Sequence, residues 1–368
     1  MGKRLRCGRR GAWNTVGTGL KLRDTYFNHH VYKAESRWQR REFVGKWRRI
    51  MARDPRWVPP HGPSLRRELR DPETHLIYVD ALPRNPHYRG SSLESAVAAA
   101  MVRPDPLRRG TGYLSFLHTV NDRDTLRVLL ESLTEHLRPH GIRTLLGPTH
   151  LFPHLGSGVL NSHWHLTPPL YTPYNPPYLN ELCQSLMKRA EDVRLYHLST
   201  DVQMEGGSPA TLSPLEPQRL TKDLLPLLQT ACTMNPMFSL PDVGEAERIL
   251  RWLASFPLHG LLAEIGGQAV GFALWQQDLS DVLQKRGSSF LRRRKLQVPR
   301  GRLLLLGVLP EFRRRGVARH LLSQSLKTAR ERGWKTLSAG PLPRDAGEII
   351  EGWGAEPEQT YTLYRYSL

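Results

Sequence analysis

The chain has 368 residues, a hydrophobic content of 39% and a formal net charge of +19. Its length accommodates two domains of roughly 150 to 200 residues, each with its own core, and no apolar run approaches the ~18 residues that span a bilayer. Cys7, Cys183 and Cys232 lie far apart with no C-x-x-C pair, which argues against a disulfide framework or a cysteine-rich metal site and makes a reducing cytoplasm the expected setting.

Charge is unevenly spread. Residues 1–70 hold 19 Lys/Arg against 5 Asp/Glu, residues 279–300 hold 7 against 1, and the remainder is nearly neutral. Two basic segments on a neutral body do not make a chain coated for nucleic acid. Roughly the first 35 residues lack apolar periodicity and are expected to be disordered, and residues 1–40 are read as a basic tail. The N-terminus has no apolar h-region and is not read as a secretory signal. Such a tail could contact RNA or acidic lipid through counterion release; a plain solvated tail is the simpler reading.

Beyond the tail, Tyr113–His118 reads as a strand, and Val120-Asn121-Asp122-Arg123-Asp124-Thr125 leads into a helix containing Leu129-Leu130. Ten residues later comes Gly141-Ile142-Arg143-Thr144-Leu145-Leu146-Gly147-Pro148. The pattern returns further on, where Leu321-Leu322 is followed at the same spacing by Gly333-Trp334-Lys335-Thr336-Leu337-Ser338-Ala339-Gly340-Pro341. The two leading glycines are 192 residues apart. A tandem pair of similar domains is the simplest account, with domains at 41–194 and 195–368. The histidine pairs His136/His140, His150/His154 and His163/His165 have no carboxylate or cysteine at ligand spacing, so no metal site is expected. Pro173-Tyr174-Asn175-Pro176-Pro177-Tyr178 is expected to fold over the first domain's core or the interface between domains.

In the second domain, a strand is expected over 195–204 and helices over 217–234 and 243–256. A hairpin follows, made of Leu258–Ile265, a Gly266-Gly267 turn and Ala269–Trp275. The basic stretch 279–300 reads as an exposed loop. Then come a buried strand at Leu303–Leu309, a helix to Arg332, a strand at Lys335–Ala339, a helix near Ala346–Trp353 and a last strand at Tyr361–Tyr366. This order is α+β, a mixed sheet with helices.

Between the buried strand and its helix stands Pro310-Glu311-Phe312-Arg313-Arg314-Arg315-Gly316-Val317-Ala318. The first amides of a helix have no intrahelical partner, and the helix dipole places partial positive charge there. A glycine opens backbone conformations closed to other residues, and a small residue keeps bulk away from an approaching anion. A strand running through such a turn into a helix is therefore a phosphate cradle. The first copy has no glycine here, and Asp122 and Asp124 would repel a phosphate. Their simpler role is to cap the helix.

Arg313, Gly316 and Ala318 fit the Q/R-x-x-G-x-G/A loop of the GNAT acyltransferase superfamily, and the second domain resembles that superfamily in element order as well. From about residue 41 the chain resembles bacterial tandem-GNAT proteins. That closer likeness rests on Asp54-Pro55-Arg56-Trp57-Val58-Pro59-Pro60, the Pro173–Tyr178 segment, Gly271-Phe272-Ala273-Leu274 leading to Asp278, and Gly307–Arg313. The resemblance implies two tandem acyl-CoA N-acyltransferase domains, the first degenerate. It implies acetyl-CoA or another acyl-CoA as cofactor, held by Leu306, Val308, Arg313, Arg314, Arg315, Gly316, Val317 and Ala318. It further implies transfer of the acyl group to an amine of a small molecule or peptide. The chain departs from the superfamily in lacking a tyrosine between Gly340 and Gly354, where relatives often carry an acid. The catalytic acid and base stay unassigned, with Glu264 and Asp278 as weak candidates. Two other readings remain open: a non-catalytic acyl-CoA sensor or scaffold, and an RNA- or ribosome-associated acetyltransferase guided by the basic tail.

Overall fold

The structure, a computed structural model, describes residues 27–71, 74–83, 96–105, 108–204, 207–231, 241–286 and 298–368. The first half runs β1 (Phe27–Lys33), α1 (Arg37–Met51), α2 (Gly62–Glu68), β2 (His75–Pro83), β3 (Ala96–Pro104), β4 (Thr111–His118), α3 (Arg123–Leu137), β5 (Thr144–Thr149), β6 (Val159–Leu160), α4 (Pro177–Leu186) and β7 (Lys188–Ser199). The second runs β8 (Thr211–Pro214), α5 (Leu225–Ala231), α6 (Val243–Leu253), β9 (Leu258–Ile265), β10 (Gln268–Gln277), α7 (Ser280–Arg286), β11 (Arg300–Val308), α8 (Val317–Glu331), β12 (Thr336–Pro343), α9 (Arg344–Glu351) and β13 (Glu356–Ser367).

Local chemistry accounts for the helix positions. Ser36 caps α1 in a reciprocal box with Gln39, Asp122 caps α3 through the Thr125 amide, and Asp242 caps α6 through that of Glu245. Each cap satisfies an otherwise orphaned donor. The long helices bury one stripe: Leu126, Leu129, Leu130 and Leu133 on α3, and Leu321, Leu322 and Leu326 on α8.

Three expectations change. Order begins before residue 40: β1 pairs with β2 through Val31↔Val79, and α1 spans the 40/41 boundary because Ser36 starts it. The basic stretch after 279 opens with α7 rather than a loop, since Asp278 accepts the Ser280 amide at 3.0 Å and Leu283 is buried; residues 287–297 lie outside the described residues. The helix expected over 217–234 is a π-helical turn at Leu220–Leu224 continuing into α5, and its last expected residues fall outside the described ones.

The described strands form one sheet in the order β1-β2-β3-β4-β5-β13-β7-β12-β11-β10-β9-β8, with β6 beside β13. Its centre is an exchange. The strand after α4, β7, pairs with β12 of the second half, while the strand after α9, β13, pairs with β5 of the first. The two exchanged strands lie antiparallel from Glu356↔His197 to Arg365↔Lys188. A boundary at 194/195 therefore cuts through β7.

On one face, α1, α5 and α6 share a continuous core that includes Phe43, Trp47, Phe152, Trp252, Leu304 and Leu305. Trp252 joins the halves, with its ring 5.5 Å from His150, 5.9 Å from Phe152 and 6.3 Å from Tyr171. The other face carries α3 and α8 over separate cores.

A fragment starting at residue 195 loses the part of β7 that faces the middle and end of β13. It is expected to aggregate or to melt without cooperativity, because it exposes unpaired backbone along β13. Circular dichroism and size-exclusion chromatography check this; a soluble fragment melting like the whole chain would show the exchange to be dispensable.

Candidate functional site

The site begins where two parallel strands part. β11 and β12 pair from Arg300↔Thr336 to Leu303↔Ala339 and no further. Beyond that point β12 follows β7, through Leu342↔Arg194 and Pro343↔Val193, whereas β11 stays with β10 as far as Gly271↔Val308. One extra residue, Leu304, sits in β11 opposite the Leu274–Trp275 step. This bulge resets the alternation: Leu303 and Val308 pack on the α8 side, while Leu304 and Leu305 face the α5–α6 side.

Into the fork opens a cleft of about 570 Å³. Leu306, Gly307 and Val308 form one wall, Ala339 and Leu342 the other, and Ile349 and Trp353 on and just after α9 flank it. Ile349 is 54% exposed, a large apolar side chain left open beside the cleft. Gly307 lets α5 approach: a Cβ there would lie 2.8 Å from the Ala231 carbonyl oxygen and 2.6 Å from the Phe272 ring.

At the far end the cleft meets the start of α8. Gly316 is the N-cap with φ 75°, no side chain caps the helix, and its first turn contains no acidic residue. A Cβ on Gly316 would come within 2.3 Å of the Gly207 carbonyl oxygen, so both conformation and space require glycine. Arg314 also takes a positive φ, 59°. The unpaired first-turn amides and the dipole leave an anion-seeking mouth.

The cleft brings together Leu306, Val308, Arg313, Arg314, Gly316, Val317 and Ala318, and adds Arg319. Arg315 stands apart, its guanidinium 5.2 Å from the Phe312 ring centre. Arg313 folds back so that its Nε donates to the Val308 carbonyl at 3.2 Å, which gives this arginine a role in holding the end of the strand.

The corresponding parallel pair of the first half does not part in this way. β4 and β5 pair again at Ser115↔Thr149 after a shift in register, and the β5–β13 ladder ends with Tyr364 opposite Gly147. The repeated Gly147-Pro148 and Gly340-Pro341 bonds are both cis. Leu170–Asn175, together with Phe116, His118, Pro148 and Thr149, line a cavity of about 80 Å³ at this end of the pair. Tyr174 donates to Asp54, which also pairs with Arg56 at 2.9 Å. Asn175 accepts from the Leu160 amide at 2.7 Å. Leu170 donates its amide to Asp278 at 3.0 Å, and the Tyr171 hydroxyl donates to Gln276 at 3.3 Å. The stretch Leu170–Asn175 thus lies beside the ends of β4 and β5, and through Leu170 and Tyr171 it binds the second half as well. The start of α3 is closed in turn, because Asp122 Oδ2 accepts from the Thr125 amide at 2.7 Å and from its hydroxyl at 2.5 Å.

The two weak catalytic candidates have other partners. Glu264 accepts from Arg219 at 2.8 Å and from Ser213 at 3.1 Å, and the Arg219 hydrogen bond holds its carboxyl below the ordinary value. Asp278 is buried; it holds the Leu170 and Ser280 amides and lies 3.8 Å from Arg300, at the opposite end of β11 from Val308. Among the described residues that line the cleft there is no Asp, Glu, His, Tyr or Cys. The Tyr361 hydroxyl donates to Gln359 at 3.1 Å and that of Tyr364 to Asn180 at 2.7 Å.

Sequence reading missed Arg302. It is 1% exposed, its Nη2 donates to the carbonyls of Gly340 at 2.5 Å and Leu155 at 3.2 Å, and burial pushes its pKa down to about 10. One guanidinium thus ties the base of the fork to the first half. The available signal was an arginine directly preceding the run Leu303–Leu306.

Residues 225–344, which contain the fork, the cradle and α8, match the model of the Acetyltransferase (GNAT) family. Over that segment the chain is similar to the GNAT acetyltransferases. No curated protein matches it. A tandem GNAT protein from the clavulanic acid biosynthesis pathway is similar in fold over 92% of this chain and 98% of its own, at 14% identity and a TM-score of 0.57. A GCN5-related N-acetyltransferase from Sphaerobacter thermophilus is similar over 94% and 96%, at 15% identity and a TM-score of 0.52. The glucosamine N-acetyltransferase region of a fungal multi-domain β-N-acetylglucosaminidase gives 0.58 at 12% identity, over 94% of this chain and 39% of that protein. These likenesses concern the fold, and a tandem arrangement of the two halves is consistent with them.

Asp122→Ala is expected to destabilise the protein by about 0.5–2 kcal/mol through loss of the cap, while ligand binding at the α8 cleft stays unchanged; thermal melts with and without ligand check both. Glu264 should reveal itself by pH. Its folded pKa lies below the ordinary 4.5, so its contribution is present above that pH and lost as pH falls through the folded value. Glu264→Gln is thus expected to cost at most about 1 kcal/mol at neutral pH, since the pair is partly exposed. The difference should close on acidification, and chemical denaturation across pH checks it.

Proposed function

We propose that the chain is an acyl-CoA-dependent N-acyltransferase whose second half holds the acyl-CoA and whose first half is a degenerate copy that braces it. The observation that carries this reading is the asymmetry of the two helix starts. The mouth of α8 is uncapped and opens on about 570 Å³, whereas that of α3 is capped by Asp122 in a half whose parallel strands stay paired to Ser115↔Thr149 and leave about 80 Å³.

The residues fit such a cofactor. Amides from Arg314 to Ala318 would hold the pyrophosphate, with Arg314 and Arg319 adding permanent charge. The unpaired edge of β11 around Leu306 would take the amide-bearing arm, and Ile349 and Trp353 offer apolar contact. When bound, acyl-CoA supplies a thioester carbonyl open to attack by an amine.

The chain contributes position and environment. An apolar lining of Leu303, Leu306, Ala339 and Leu342 disfavours a charged ammonium, so an entering amine is driven towards its neutral, nucleophilic form. Holding two reactants in line supplies several kcal/mol by itself, and a thiol with a pKa of roughly 8.5, by analogy with cysteine, leaves without a dedicated acid. An acceptor amine on a small molecule or peptide and a cytoplasmic location belong to this reading. Among the described helices, none is long and apolar enough to cross a membrane.

A second reading, a non-catalytic acyl-CoA sensor or scaffold, is favoured by the absence of ionisable groups other than arginine among the described lining residues. Thiol release in the presence of an amine panel separates the two, since a sensor binds without releasing thiol.

Acetyl-CoA at about 100 times its dissociation constant is expected to stabilise the protein by about 2.7 kcal/mol. Gly316→Asp should abolish the effect by placing bulk and negative charge at the mouth. Differential scanning fluorimetry measures both; equal shifts in variant and wild type would place the binding site elsewhere.

A further inference from the structure

His136 and His140 sit one turn apart at the C-terminal end of α3 and the short turn that follows it, so their imidazoles project on the same side. Read in sequence, the pair lacks a third ligand. The fold supplies one. His75, the first residue of β2, lies against both, with ring centroids 5.1 Å from His136 and 4.9 Å from His140, and the latter two are 5.3 Å apart. One nitrogen from each ring falls within 4.8 Å of the others, and His75 Nδ1 is 3.1 Å from His136 Nε2. Zinc–imidazole bonds of about 2.0–2.1 Å in tetrahedral geometry place two ligand nitrogens roughly 3.3 Å apart. The rings need little movement to reach that arrangement.

We propose that His75, His136 and His140 form a three-histidine site for a divalent transition-metal ion, best suited to Zn²⁺. Neutral imidazole is a preferred ligand for zinc, nickel and copper. His75 and His136 are partly buried and already share a hydrogen bond between ring nitrogens, which a metal ion would replace. The carbonyl end of α3 adds partial negative charge beside the cluster. Lys33 and Arg40 are nearby unfavourable charges; Glu35 pairs with Lys33 at 2.6 Å and also acts electrostatically on His136. A cavity of about 300 Å³ bordered by Ser132, Glu135, His136 and His140 leaves room for a fourth ligand, water or carboxylate. The ion would clamp the end of α3 to the start of β2, adding stability to the first half.

The test uses the full chain without a polyhistidine tag, titrated with Zn²⁺ by calorimetry and with Co²⁺ by visible absorption. The expected result is one equivalent of Zn²⁺ per chain and the visible absorption bands of nitrogen-ligated Co²⁺. His140 is exposed, so His140→Ala is expected to fold normally and to weaken Zn²⁺ binding by at least about 10-fold. His75→Ala should lose the Co²⁺ bands, whereas His163→Ala, from a histidine pair elsewhere, should bind like the wild type. No Zn²⁺ binding by the wild type, unchanged affinity in His140→Ala, or equal weakening in His163→Ala would overturn the assignment. Two neutral rings sharing only a hydrogen bond would give the first of these results.

Discussion

The cleft depends on β12 being committed to β7. A parallel strand pair left to itself would continue its ladder, but β12 can satisfy its backbone on one partner or the other once the strands diverge. β7 is held in place by its long antiparallel pairing with β13, so β12 follows β7 and leaves β11 after Leu303. The open wedge and the unpaired edge of β11 follow from that choice. Arg302 closes the base of the wedge by bonding the Gly340 carbonyl from the opposite strand.

The two halves diverge at the corresponding place. In the first, β4 and β5 stay paired to Ser115↔Thr149, Leu170–Asn175 line the small cavity beside them, and Asp122 caps the helix start. In the second, β11 and β12 part after Leu303↔Ala339, and glycine and arginine border the cleft. Strand register and side-chain chemistry both distinguish the two helix starts. The first half still acts on the second, since Leu170 and Tyr171 hold Asp278 and Gln276, and Trp252 packs on the first half's aromatic residues.

Much of this was legible along the chain because the signals are local. Asp122 and Gly316 differ within equivalent turns, and capping and left-handed conformations are decided by a few neighbouring residues. Helix α6, the β9–β10 hairpin and α8 fell close to their expected limits for the same reason. The errors arose where tertiary contacts override local pattern. β1 looks like part of a polar tail until it is placed against β2, and α7 looks like a basic loop until Leu283 is buried and Asp278 caps it. Glu264 and Asp278 were plausible acid–base groups as isolated carboxylates, but their partners Arg219 and Leu170 lie 45 and 108 residues away.

The sequence by itself determined the repeat, the glycine turn before α8 and the asymmetry between its two copies, since these rest on residue type and short spacing. Only the tertiary structure decided that β7 and β13 change places, that Arg302 ties the base of the fork, and that His75 joins His136 and His140. Each of these is a meeting of residues distant in the chain, governed by which backbone edges and side chains can be satisfied together, and no local pattern records that outcome.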